Sequence, residues 1–100
     1  MATDSKQAFR RLRLRLRVEE VTPEIQVSER FSKRSLRGVV DGEYPQHYEV
    51  QFTGKKMNEI DNAMEGTFVT VIAFVNGRKI EKEGKGMYFT SIDFHEFENE

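Results

Sequence analysis

The stretch RLRLRLR, Arg11 to Arg17, constrains the fold of this chain more than any other feature of its sequence. Side chains alternate between the two sides of a β-strand with a period of two. Leu12, Leu14, Leu16 and Val18 therefore fall on one side, and Arg13, Arg15, Arg17 and Glu19 on the other. On a helix, Leu14 would sit far around from Leu12 and Leu16, and the apolar stripe would be lost. The same period, together with Asp4, argues against an amphipathic targeting peptide. The stretch reads as a half-buried strand with leucines inside and guanidinium groups outside. Pro23 ends it, because proline has no N–H to give to a ladder.

The rest of the chain yields to the same test. Residues 22–33 form a long connection, with extended structure expected at Ile25 to Val27. A second strand covers Arg34 to Val40. DGEYPQ (41–46) concentrates turn-forming residues. HYEVQF (47–52) alternates again, with Tyr48, Val50 and Phe52 opposite His47, Glu49 and Gln51. The period then breaks. Met57, Ile60 and Met64, spaced i, i+3, i+7, mark a short helix, with Thr53 in its N-cap region and Gly66 as its left-handed stop. About ten residues cannot hold a helix alone, so this stripe must plug a larger core. TFVTVIAFV (67–75) is a strand apolar on both faces. Asn76-Gly77 predicts a turn or bulge, and RKIEKEGKG (78–86) a charged connection. MYFTSIDFHEF (87–97) is the last strand, with Tyr88, Ile92 and Phe94 on one side. Five strands, a short helix between the third and fourth, and long loops after the first and fourth give the order of an OB-fold. That is a mainly β, five-stranded Greek-key barrel.

A chain of 100 residues makes one domain. It is expected over 10–97, between a flexible N-terminal arm at 1–9 and a short acidic end at 98–100. The absence of Cys removes disulfides, zinc–thiolate sites and thiol nucleophiles. No run approaches the roughly 20 apolar residues of a membrane span. Nor does an apolar block follow the N-terminal Arg cluster, as a secretory signal would require. A cytoplasmic protein without membrane contact is expected. The net charge of −1 conceals an asymmetry: residues 1–40 carry ten Lys/Arg against five Asp/Glu, and residues 41–100 six against twelve. Such a chain can present a local basic face without being a general polyanion binder.

Several short motifs occur in a recognisable order: FSKR (Phe31–Arg34), EYPQ (Glu43–Gln46), GTFVTV (Gly66–Val71), NGRKI (Asn76–Ile80) and GMYFTSI (Gly86–Ile92). Together they resemble a family of small proteins of Bacteroidetes and their phages, catalogued as a domain of unknown function, over roughly Leu14 to Phe97. The resemblance implies an OB barrel and a role in binding single-stranded DNA. Phe94 and Ile80 stand where members of that family usually carry tryptophan, which bears on base stacking near Ile80.

The residues themselves offer no enzyme. His47 and His95 lie in different strands, outside any metal-ligand spacing. The carboxylate pairs Glu19-Glu20, Asp41/Glu43 and Asp61/Glu65 have no apolar pocket to separate their pKa values. No phosphate-loop or nucleophile motif is present, and no cofactor or metal is expected. The basic residues form three clusters. Arg13, Arg15 and Arg17 leave one strand face at a spacing of roughly 6.6–6.8 Å, close to that of stretched phosphates, and guanidinium binds phosphate in a planar fork. Arg30, Lys33, Arg34 and Arg37 occupy the first long loop and second strand; Arg78, Lys79, Lys82 and Lys85 occupy the second long loop. In an OB barrel both loops flank the oligonucleotide face of strands two and three, so all three clusters could converge there. The competing reading pairs the Arg row with carboxylates such as Glu49, Glu96 and Glu98, or makes it a guard against edge pairing.

Aromatic platforms should complete such a site. Tyr48, Phe52, Phe68, Phe74 and Phe94 fall on apolar faces and are assigned to the core, leaving Phe9, Phe31, Tyr44, Tyr88 and Phe89. Phe31, between Arg30 and Lys33, and Phe89, opposite in parity to Ile92, are the candidates for stacking. The expected function is single-stranded DNA binding with little sequence specificity, in phage or bacterial replication or recombination; RNA is a further candidate ligand. The expected assembly is a homo-oligomer, and the acidic end is a candidate docking point for replication or recombination partners, although a plain charged strand end is the simpler reading. The alternative is an OB-fold adaptor that binds protein and no nucleic acid.

Overall fold

Alternation in residues 11–17 becomes register in three dimensions. A computed structural model describes residues 10–99; the expectations for the arm at 1–9, Phe9 included, and for Glu100 lie outside the described residues. Strand β1 (Arg11–Val21) pairs antiparallel with β5 (Phe68–Lys82), from Arg11 opposite Phe74 to Arg17 opposite Phe68. Its second half pairs with β3 (Phe31–Val40), from Arg17 opposite Val39 to Val21 opposite Leu36. A register shift between Val18 and Glu20 marks the bulge at which β1 curls between its two partners. β3 pairs antiparallel with β4 (Gln46–Thr53), and β5 with β6 (Lys85–Glu98). One parallel bridge, Gln51 to Asp93, joins β4 to β6. The ring β1-β5-β6-β4-β3 thus closes on itself as a five-stranded OB barrel, with β2 (Ile25–Ser28) a short flap on the start of β3.

The barrel core follows the alternation. Leu16, Val18, Leu36, Val50, Phe52, Val71, Ala73 and Phe94 are buried inside. Phe52 and Phe94 stack with ring centroids 4.1 Å apart, and Phe97 joins Phe94 at 4.7 Å. Truncating Phe52 to Ala should cost about 3–5 kcal/mol. Gly38 sits where β1 crosses β3. A Cβ there would lie 3.0 Å from both the Leu16 Cβ and the Arg17 carbonyl oxygen, so a side chain would push the strands apart.

Between β4 and β5 the chain is helical, but in two 3-10 segments, Gly54–Glu59 and Asn62–Met64, rather than one α-helical turn sequence. Ile60 between them is extended, and its side chain is buried in the core with Met57 and Met64 packed beside it. The plug is therefore made by the residues the stripe picked out. Its helix type differs because Asp61 accepts a hydrogen bond from the Ala63 N–H at 2.8 Å and restarts the chain as a new N-cap. Short polar side chains compete with helix hydrogen bonds in this way. Thr53 makes no side-chain cap, whereas Gly66 does take the left-handed conformation, with φ 87°.

Two further differences bear on the site. Residues 78–86 are not a loop. β5 runs to Lys82, β6 starts at Lys85, and Glu83-Gly84 turn the chain with φ of 54° and 78°, a type I′ hairpin. Asn76 and Gly77 are inside the strand, opposite Ser91 and Thr90. Charge density concealed the hairpin. Its cross-strand pairs are Arg78 with Phe89, Lys79 with Tyr88 and Ile80 with Met87, each of which puts apolar surface against a neighbour. Phe68 and Phe74 also leave the core to which they were assigned. Parity turns Val69, Val71 and Ala73 inward on β5 and the two phenylalanines outward, and Phe68 is exposed. Among the described residues no helix is long and apolar enough to cross a membrane.

Candidate nucleic-acid interface

Two hairpins flank the seam where β4 meets β6. On one side is β2–β3, whose turn carries Arg30; on the other is β5–β6. The outward positions between them are set by the register. Lys33 faces out beside Thr53, Asn76 lies beside Ser91, and Arg78 beside Phe89. With Val27, Phe31, Gln51 and Asp93 these residues line an open groove of about 590 Å³.

The groove brings together exposed rings, cations and a polar floor. Phe31 and Phe89, one from each hairpin, are 44% and 43% exposed and both line the groove. Lys33 and Arg78 have no ion-pair partner among the described residues; Arg78 lies 5.6 Å from the Phe89 ring centroid. A base can stack on a ring while a cation beside it takes the phosphate. On the floor, Asp93 Oδ2 accepts from Asn76 Nδ2 at 2.5 Å and from Ser91 Oγ at 3.1 Å. Farther along the β5–β6 hairpin, Lys79 sits 5.6 Å from the Tyr88 ring centroid and 3.2 Å from Glu81. Lys82 and Lys85 face each other beside the tip.

The other sequence candidates are elsewhere. β1 lies between β3 and β5, across the barrel from the β4–β6 seam, so Arg13, Arg15 and Arg17 do not reach the groove. Arg13 Nε donates to both carboxylate oxygens of Glu98, at 2.9 and 3.0 Å. Arg15 lies 4.6 Å over the Phe68 ring, and Arg17 forks onto Asp41 at 3.2 and 3.3 Å. The hydrogen bond from Arg17 holds the Asp41 carboxyl below its ordinary range, and that from Arg13 does the same for Glu98. The bond to Asp41 raises the Arg17 pKa in turn. The row also shelters apolar surface. Ile72 and Val39, cross-strand neighbours of Arg13 and Arg17, lie outside the core cluster yet are only 3% and 2% exposed. Arginine stems cover such residues while their heads stay wet.

On β3, Arg37 bridges Glu20 at 3.0 Å and Glu49 at 3.2 Å, and these bonds raise its pKa. Arg34 turns to the barrel end and donates to the carbonyls of Thr22 and Ile60, at 3.0 and 2.9 Å, tying the plug to the first loop. His47 and His95 lie beside Glu19 and Glu96 on the surface, at 3.0 and 3.4 Å. The structure thus gathers Phe31, Lys33, Arg78 and Phe89 in one groove. The polar floor of Gln51, Asn76, Ser91 and Asp93 was not anticipated. Its signal was the period-two spacing Asn76/Arg78 against Phe89/Ser91/Asp93, visible once 78–86 is read as a hairpin.

A family model described as "Domain of unknown function (DUF3127)" matches residues 14–98. No curated protein matches the chain by sequence. Among solved structures, the barrel is similar to the mitochondrial single-stranded DNA binding protein Rim1 of S. cerevisiae. That match has a TM-score of 0.62 at 10% identity and covers 92% of this chain and 95% of Rim1. A small single-stranded DNA binding protein from Mycoplasma pneumoniae matches with a TM-score of 0.55 at 13% identity, covering 92% and 94% of the two chains. At such identities the likeness establishes a shared fold.

Proposed function

The chain belongs to the DUF3127 family, and we propose that it binds single-stranded DNA in the groove over the β4–β6 seam. The observation that carries this reading is the pair of exposed rings, Phe31 and Phe89, each accompanied in the groove by a cation without a carboxylate partner among the described residues. The rings take bases and Lys33 and Arg78 take phosphates; Arg30, Lys82 and Lys85 extend the basic path along the two hairpins. Two single-stranded DNA binding proteins with the same barrel support the reading. We infer further that the protein acts in replication or recombination, in the cytoplasm of a bacterium or a phage-infected cell, and as a homo-oligomer.

Single-stranded DNA, RNA and duplex DNA of equal length, titrated by fluorescence anisotropy at two salt concentrations, test this. Single-stranded DNA should bind most tightly. Its log K should fall linearly with log salt, with a slope of about −0.7 per phosphate neutralised. Absence of binding at low salt would overturn the reading. A protein-binding adaptor is the second reading, favoured by the exposed Ile80, Met87 and Tyr88 of the β5–β6 hairpin. Salt-sensitive self-association in sedimentation without DNA binding would support it instead.

A further inference from the structure

We infer that Asp93 reads bases, and that it makes the groove prefer pyrimidines bearing an exocyclic amino group, cytosine over thymine. The inference rests on the proposed binding of single strands. A carboxylate at the centre of a phosphate-binding groove is out of place if its only neighbours are to be phosphates. Asp93 stands on the floor, paired across the parallel bridge with Gln51, while Lys33 and Arg78 stand on the flanking hairpins. Repulsion from Asp93 and attraction to the flanking cations both turn a bound strand the same way. Phosphates go to the cations and base edges go down to the floor.

The carboxylate is also held ready. Oδ2 receives both of its hydrogen bonds, from Asn76 and Ser91, and Asn76 is itself held by Arg10, whose Nη1 donates to its Oδ1. Oδ1 of Asp93 is bonded to none of the described residues. A fixed acceptor of this kind needs no reorganisation when a donor arrives. Cytosine presents an N4 amino donor at the position where thymine presents the O4 acceptor. A carboxylate accepts from the first and repels the second. Phe31 and Phe89 cannot make this distinction, since both pyrimidines offer a π-face. The choice therefore falls to the floor.

Homopolymers of dC and dT of equal length, titrated above neutral pH so that cytosine strands stay unpaired, test the inference on the unmodified protein. The dC strand should bind about fivefold more tightly, the worth of one added hydrogen bond. A strand of N4,N4-dimethylcytosine, which keeps the ring and loses both amino hydrogens, should fall to the dT value. Asp93→Asn, checked for native circular dichroism, offers both a donor and an acceptor and should remove the preference. Equal or tighter binding of dT by the wild-type protein would overturn the inference and leave single-strand binding intact. So would a dC preference that survives Asp93→Asn or N4 dimethylation. If neither strand binds, the proposed function itself fails.

Discussion

The outer face of β1 and the groove between the hairpins are built from the same materials, arginine or lysine beside phenylalanine on exposed sheet, and they differ in what folds against them. On β1, Arg13 meets Glu98, Arg17 meets Asp41 and Arg15 lies on Phe68. In the groove, Lys33 and Arg78 meet no carboxylate among the described residues, although Arg78 lies beside the Phe89 ring as Arg15 lies beside Phe68. A cation already paired must give up its partner before it can hold a phosphate; an unpaired one need not. The regular spacing of the β1 row suits a phosphate backbone, yet spacing without uncompensated charge makes a structural ladder. Cation count is therefore a poorer guide to a nucleic-acid footprint than the tally of which cations the fold leaves unanswered.

The largest contrast should come from charge reversal. Lys33→Glu with Arg78→Glu should weaken single-strand binding on the order of a hundredfold at low salt. It should also make the salt slope shallower by about 1.4, two phosphates at 0.7 each. Anisotropy at several salt concentrations reads both quantities. An unchanged slope would move the phosphate path out of the groove. Next come the rings. Phe31→Ala and Phe89→Ala should each cost about 1–3 kcal/mol of affinity, the value of one stacked base, with little change of slope. Loss of slope with either ring would mean that the ring positions a cation rather than a base.

How much of this was legible beforehand depends on what kept each element in place. The barrel order could be read because β1, β4 and the Ile60 plug declare their periods in apolar residues that end up buried. The β5–β6 hairpin could not, because it projects beyond the barrel core. Its order rests on cross-strand pairs such as Ile80 with Met87 and on a Glu83-Gly84 turn, neither of which shows as one-strand alternation. Phe31, Lys33 and Arg78 were identified by type and neighbourhood. Asp93 and Asn76 were missed because they meet only when β5 and β6 are in register. The pairing of Arg13 with Glu98 spans 85 residues of sequence, and composition could raise it only as an alternative.

A smaller effect on binding is expected from β1. Replacing Arg13, Arg15 and Arg17 together by Gln should change single-strand affinity by no more than about twofold at physiological salt. The row lies across the barrel from the groove, and exposed charges are screened beyond about 8 Å under those conditions. The consequence should appear in thermal unfolding instead, because the same side chains shelter Ile72 and Val39. A large loss of affinity with unchanged melting would reverse the assignment of the two faces.

The smallest effect is a dependence on acid, and it separates the two regions by protonation alone. Asp41 and Glu98 have carboxyl pKa values lowered in the folded protein, first by the hydrogen bonds from Arg17 and Arg13. A carboxylate whose folded pKa lies below its unfolded one binds protons more weakly when folded. Its contribution to stability is complete above the unfolded carboxylate range near pH ~4 and disappears as pH falls through the lowered folded values. Arg17 and Arg37, with raised pKa values, stay protonated throughout and add nothing to this slope. Asp41→Asn with Glu98→Gln should therefore lower the melting temperature slightly at neutral pH and match the wild type in strong acid. The difference should be modest because all these groups are exposed and screened. A difference that persists unchanged into strong acid would mean that the two carboxylates act through shape rather than charge, and that the β1 ladder is held by packing of its arginine stems.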